Sequence, residues 1–289
     1  MPFICYRLLI LPDGSRDLLI KINHAMYDGT LLCIFDDEFK GLFRKQPVPE
    51  TVSFHDYVSY MHLTDRQKSL KFWQELLQNN GAPFPKVEHP LASALTMTTT
   101  DRKVDLFAAN CGVTVLIVFQ TAFTLLLCRL SGRTDVTYDN LITGRNVDAF
   151  NDETRSLFWK TTEHGNVSLK DIYQSLGQNR DESASRALFL FQPFDQPAST
   201  TNLVEKHMRG IVMGLSKVQM PIDYVLHLEV SKAPKGHTVK FKFDPQWYAV
   251  DQFEKVTEAF LEILEKMMSH SRSKVIMILW SPTLLHIYY

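Results

Sequence analysis

Leu18-Leu19-Ile20-Lys21-Ile22-Asn23-His24-Ala25-Met26-Tyr27-Asp28-Gly29 decides the reading of this chain, because an apolar run leads straight into an imidazole, a carboxylate four residues on and a glycine. Residues Leu18 to Ile22 read as a buried strand. After the glycine, Leu31, Leu32, Phe35, Phe39, Leu42 and Phe43 fall at the spacing of one helix face. His24 is therefore expected on a tight strand-to-helix connection, with Gly29 supplying backbone freedom that a side chain would restrict. An imidazole that exchanges protons near pH 7 needs a fixed backbone and a nearby partner, and a strand end offers the first. Asp28 suits a bracing role, since a carboxylate at a helix start is favoured by the helix dipole and can pair with an arginine. A lone histidine at a strand end is commonly structural. The weight of this one depends on the motifs further along the chain.

The string resembles the HHxxxDG motif of nonribosomal peptide synthetase condensation domains, most closely the Ser-His-x-x-x-Asp-Gly form of fungal terminal domains, with Asn23 at the first position. Phe54-His55-Asp56-Tyr57-Val58 is similar to the family's Y-x-D-Y-x-x-W motif, with Tyr60 in place of the final Trp. By periodicity alone that stretch reads as a half-buried strand or turn. Asp65 to Gln78, with Leu70, Trp73, Leu76 and Leu77 on one face, is similar to the helix that leads out of the family's first lobe. Val113 to Leu130, then Ser131-Gly132-Arg133-Thr134-Asp135-Val136 and Thr143-Gly144-Arg145, resemble the helix, turn and strand end that open its second lobe. Several weak matches in the right order carry more than any one alone.

The family's fold is of the chloramphenicol acetyltransferase type: α/β, with mixed, largely antiparallel sheets and packed helices. Carried over to this chain, it implies the end of a first lobe at 1–80, a linker at 81–90, an internally shortened second lobe at 91–270 and a family-foreign apolar tail at 271–289. The early part of the first lobe and a segment after Arg145 are expected to be missing. Phe189-Leu190-Phe191-Gln192-Pro193 is similar to a family strand, and 225–230 and 239–243 read as further strands. Asp251 with Glu254 reads as a capping-box start to a helix through Met268, with Phe253, Val256, Phe260, Leu264 and Met267 inward.

Composition narrows the rest. The chain has 289 residues, enough for two domains or one large one, and its 31 basic and 32 acidic residues nearly cancel. That balance gives no reason to expect a nucleic-acid or anionic-membrane partner. Val113 to Leu130 is interrupted by Thr114, Gln120, Thr121 and Thr124, so it reads as a buried helix and not as a span of ~20 apolar residues. Cys5, Cys33, Cys111 and Cys128 lack metal-ligand spacing, and the ten histidines form no HxH or HExxH pair, so no metal site is expected. Free thiols of this kind fit a reducing, cytoplasmic setting.

The function implied by the resemblance is acyl transfer from a phosphopantetheine thioester, presented by a carrier domain, to an amine, with amide formation or terminal cyclisation and release as the outcome. His24 is the catalytic candidate, Asn23 a positioning residue, and Asp28, Gly29 and Arg145 the structural support, with Arg145 pairing to Asp28. The partners implied are peptidyl or aminoacyl carrier domains, and no covalently bound cofactor is expected. Two other readings stand beside it: an inactive remnant that docks carriers, and a coenzyme A-dependent alcohol acyltransferase. The last shares H-x-x-x-D-G but carries a D-F-G-W-G motif, for which Phe243-Asp244-Pro245-Gln246-Trp247 is a poor substitute.

Overall fold

The computed structural model describes residues 3–23, 26–27, 31, 34–35, 38–39, 41–42, 44–47, 53–78, 93–99, 103–133, 136–141, 163–177, 187–195, 224–233, 236–243, 250–269 and 286–288. These fall into two compact units, Met1–Thr64 and Asp65–Tyr289.

In the first unit, β1 (Ile4–Ile10) and β2 (Arg16–Ile22) pair antiparallel from Ile4 opposite Ile22 to Ile10 opposite Arg16. The turn between them is closed by Leu11 N donating to Ser15 O at 2.9 Å, and Gly14 takes the left-handed conformation that this reversal requires (φ 85°). The strand expected at Leu18–Ile22 is present, but its burial is not: Leu18 and Leu19 are each about half exposed. Two strands offer too little apolar surface to cover their own faces. Residues 31, 34–35, 38–39 and 41–42 are helical, as the spacing requires, with Phe35 and Phe39 rings stacked at 6.1 Å. The strand or turn expected at Phe54–Val58 is instead the first turn of α1 (Phe54–Leu63). Ser53 caps it by accepting from His55 N at 3.2 Å, and Asp56 lies in the first turn, where the helix dipole favours a carboxylate.

The second unit begins with α2 (Arg66–Leu77), capped by Asp65, which accepts from Lys68 N at 3.0 Å. This helix, expected in the first lobe from its sequence, belongs to the second unit. Then come β3 (Ser93–Thr99), α3 (Lys103–Cys111), α4 (Val115–Ser131), β4 (Thr137–Leu141), α5 (Leu169–Ser175), β5 (Ala187–Asp195), β6 (Leu226–Ala233), β7 (Gly236–Phe243), α6 (Val250–Ser269) and β8 (His286–Tyr288). Thr114 caps α4 by accepting from Ile117 N at 3.3 Å, and Gly132 ends it in the left-handed conformation. The helix expected to start from a cap at Asp251 already includes Val250.

The six strands order as β3-β7-β6-β5-β4-β8. Pairs β3/β7 and β7/β6 are antiparallel, whereas β6/β5, β5/β4 and β4/β8 are parallel. The mixed sheet is thus antiparallel at one end and parallel at the other, a larger parallel share than the resemblance implies. Parallel neighbours need long crossovers, and the stretches between β4, β5 and β6 are long enough to provide them. The tail at 271–289 contributes β8 beside β4.

The core joins α4, α6 and one sheet face. Phe119, Phe123, Leu126 and Leu127 meet Phe189, Leu228 and Phe241, together with Phe253, Phe260 and Leu264 from α6. Phe241 lies edge-on to Phe253 and Phe260 at 5.9 and 5.3 Å, which suits the ring quadrupoles. The polar residues that interrupt α4 are buried with it: Thr124 Oγ1 donates to Gln120 O at 2.9 Å and lies 2.9 Å from the Tyr138 hydroxyl. Burial pushes the Tyr138 phenol up, so it stays protonated. No single helix among the described residues is long and apolar enough to cross a membrane.

A smaller cluster of Trp73, Leu77, Val167 and Ile172 joins α2 to α5. Trp73 Nε1 donates to His164 O at 2.9 Å, Gln74 Nε2 to Ser175 O at 2.8 Å, and Arg66 pairs with Asp171 at 2.8 Å.

Candidate functional site

Strand β2 delivers the chain to the motif. Asn23 N donates to Phe3 O at 2.7 Å and so extends the hairpin ladder one residue past the strand, fixing the backbone immediately before position 24. Met26 N then donates to Asn23 O at 2.9 Å, an i to i+3 bond that turns the chain within three residues of the strand. Asn23 itself is exposed, and Tyr27 is half-buried. Of the site residues expected from sequence, Asn23 is described; His24, Asp28, Gly29 and Arg145 lie outside the described residues, as does Cys33. Strand β4 ends at Leu141, four positions before Arg145 in the sequence.

Two polar groupings in the second unit were not singled out from sequence. In one, the buried His164 ring shares a hydrogen bond with Ser69 Oγ at 3.2 Å and stacks on Phe72 at 4.3 Å. Burial pushes this imidazole below its ordinary range. Locked between α2 and the loop before α5, it holds two elements together.

The other lies on the sheet face turned away from α4 and α6. Leu226, Leu228 and Val230 enter the core, so His227, Glu229 and Ser231 alternate onto the opposite face. Lys240 and Lys242 of β7 stand opposite Glu229 and His227. Glu229 accepts from Lys242 Nζ at 3.0 Å and from Gln192 Nε2 of β5 at 3.1 Å. Desolvation would raise this carboxyl, but the Lys242 charge and hydrogen bond outweigh it and hold it below the ordinary range. At His227, 6% exposed, burial and then the Lys242 charge push the imidazole down to about 4. The period-two alternation of His227, Glu229 and Ser231 is the sequence signal that could have drawn attention to this face.

His227 makes stability acid-sensitive. An unfolded histidine binds a proton near pH 6.5, whereas the folded one resists it down to about 4, so the unfolded state binds more protons in that window and stability falls as pH falls. Between pH 7 and pH 5 the loss from this group should be about 2 kcal/mol. Urea unfolding of the chain and of His227→Gln at the two pH values checks it. Equal losses in the two proteins would show that other groups carry the acid sensitivity.

With the fold and the hairpin end in view, the comparisons with known proteins agree on one class. The condensation domain family model matches residues 6–159, a stretch that contains the Asn23–Gly29 motif. The chain belongs to the condensation domain family. It is 36% identical to nonribosomal peptide synthetase 7 of Aspergillus fumigatus and 30% identical to nonribosomal peptide synthetase sidE of the same fungus, over 95% of its own length in each case. It spans only 13% and 14% of those synthetases. Among solved structures, it resembles the first condensation domain of the calcium-dependent antibiotic synthetase in complex with a substrate analogue. That match has a TM-score of 0.61 and 16% identity, covering 92% of this chain and 67% of the other. This structural likeness shows the condensation-domain fold.

Proposed function

We propose that the chain is the condensation unit of a larger fungal-type nonribosomal peptide synthetase, joining or releasing acyl groups carried as phosphopantetheine thioesters. The observation that carries this reading is the fixed end of β2: a family motif whose histidine follows directly on Asn23, a residue tied into the hairpin at 2.7 Å. The acceptor amine attacks the thioester carbonyl, the carbon–sulfur bond breaks, and the thiolate leaves. His24 orients the amine and takes its proton, which then passes to the sulfur. Asn23 can donate a hydrogen bond but exchanges no proton near neutral pH, which suits a positioning role. The substrates arrive on carrier domains of a cytoplasmic assembly. Single-turnover product formation by the parent synthetase from a loaded carrier tests the reading; a parent that only hydrolyses the thioester would overturn it.

The resemblance implies an ion pair between Asp28 and Arg145 that braces the motif loop. Removing one partner should strand the other charge at a cost of roughly 3–5 kcal/mol. Melts of Asp28→Ala, Arg145→Ala and the double variant measure the coupling. Strictly additive losses would show that the two residues do not meet.

A second reading, a module that docks carriers without turnover, draws on the first unit. There Tyr6, Leu8 and Ile10 of β1 and Leu18 of β2 leave one face of the hairpin exposed and apolar. The same turnover assay separates the two.

A further inference from the structure

We infer that Lys240, on the outer face of the six-stranded sheet, forms an anion subsite that takes the phosphodiester of a phosphopantetheine arm. The inference rests on the function proposed above, which brings such arms to this domain.

Pairing on this face leaves one positive charge over. Val239, Phe241 and Phe243 enter the core, so Thr238, Lys240 and Lys242 alternate onto the outer side. Lys240 stands directly opposite Glu229 in the β6/β7 ladder. Glu229 nevertheless pairs on the diagonal, one oxygen accepting from Lys242 Nζ at 3.0 Å and the other from Gln192 Nε2 at 3.1 Å. Among the described residues neither Lys240 nor Thr238 has a side-chain partner. Near pH 7 Glu229 is ionised and His227 neutral, so two ammonium groups face one carboxylate and a single positive charge remains. The Lys240 charge contributes to holding both of those groups down.

The face opens toward β7. His227 and Ser231 are buried, whereas the Glu229 and Lys242 side chains are 13% and 23% exposed and Lys240 is half-buried. A ligand therefore reaches Lys240 from solvent without disturbing the core. Lys242 carries a like charge two residues along the strand, and an anion beside Lys240 relieves that repulsion.

These features select the ligand. Pantetheine itself is uncharged, and the phosphodiester that ties it to a carrier domain bears one negative charge, which matches the single charge left over. A lysine ammonium binds phosphate as a point charge through charge-assisted hydrogen bonds, which are stronger than neutral ones. The Thr238 hydroxyl can donate to a second phosphate oxygen.

Calorimetric titration of the parent synthetase, with its carriers left without their arms, tests the subsite. The two ligands are S-methyl pantetheine and S-methyl phosphopantetheine capped as its methyl phosphodiester, so that they differ by one negative charge. The parent should bind the phosphodiester about tenfold more tightly, the worth of one charge-assisted hydrogen bond. Lys240→Met should abolish that preference and leave the affinity for S-methyl pantetheine unchanged, while Lys240→Arg should keep it. Lys232→Met should keep it too. Lys232 is exposed but lies opposite His237, which packs against Phe119 on the other face of the sheet. Equal affinity of the parent for the two ligands, undetectable binding of both included, overturns the subsite. Equal loss of preference in Lys240→Met and Lys232→Met overturns it as well, since general surface attraction would then be the cause. If Lys240→Met does not fold, Lys240→Gln replaces it under the same criteria. Binding needs no turnover, so a parent that shows the preference but forms no amide counts against the condensation reading alone.

Discussion

Replacing His24 with alanine should lower single-turnover product formation from a loaded carrier by about 10²–10⁴, the usual contribution of a general acid or base. The melting temperature should stay close to that of the parent. The backbone before position 24 is set by the Asn23 hydrogen bond to Phe3, which does not depend on the imidazole. Carrier binding should also persist, because removing a proton-exchanging group takes away a step and not a surface. An unchanged turnover rate would remove His24 from the mechanism and leave carrier docking as the function of the domain. Asn23→Ser, which restores the residue of the fungal terminal motif, should retain most activity, since a hydroxyl also donates one hydrogen bond.

The second large effect is structural. Trp73→Ala should destabilise the second unit by about 3–5 kcal/mol, the range for deleting a fully buried large aromatic side chain. Trp73 has no exposed surface, fills the cluster with Leu77, Val167 and Ile172, and donates to the His164 carbonyl. Trp73→Phe should cost less, since it keeps one aromatic ring in the cluster, though it loses the rest of the indole volume and the N–H that His164 O accepts. Equilibrium unfolding of the three proteins gives the values. A loss below about 1 kcal/mol for Trp73→Ala would mean that α2 is not held through this residue.

Much of the fold could be read from local pattern. The apolar spacing of α6 named the residues that the core buries, because a helix long enough to repeat its face several times leaves little ambiguity, and α4 is the buried helix its composition implied. Phe253, Val256, Phe260, Leu264 and Met267 are all inward as expected. Short segments were less legible. Phe54–Val58 alternates enough to pass for a strand, and Ser53 as a cap decides for helix. Burial of β2 was over-read because its apolar residues look the same whether or not a second layer covers them. At the site, the motif spacing pointed to His24, Asp28 and Gly29, and local geometry adds the anchoring of Asn23. The His227, Glu229 and Lys242 grouping escaped notice because its members come from strands whose pairing no local pattern specifies.

The order of the six-stranded sheet has a consequence for synthesis on the ribosome. Strand β3 is made early, yet its described hydrogen-bonding neighbour is β7, more than a hundred residues later, and the β7/β6 hairpin must form before β3 can dock. At translation rates of roughly 5–20 residues per second, helices α3 and α4 would emerge and wait on the order of ten seconds without the sheet that covers Phe119, Phe123 and Leu126. During that interval the nascent chain displays the apolar face that later becomes the core. Its yield in a cell should therefore depend on chaperones that hold such faces. Slowing elongation before β6 would lengthen the exposure, whereas slowing it after β7 would give the sheet time to close.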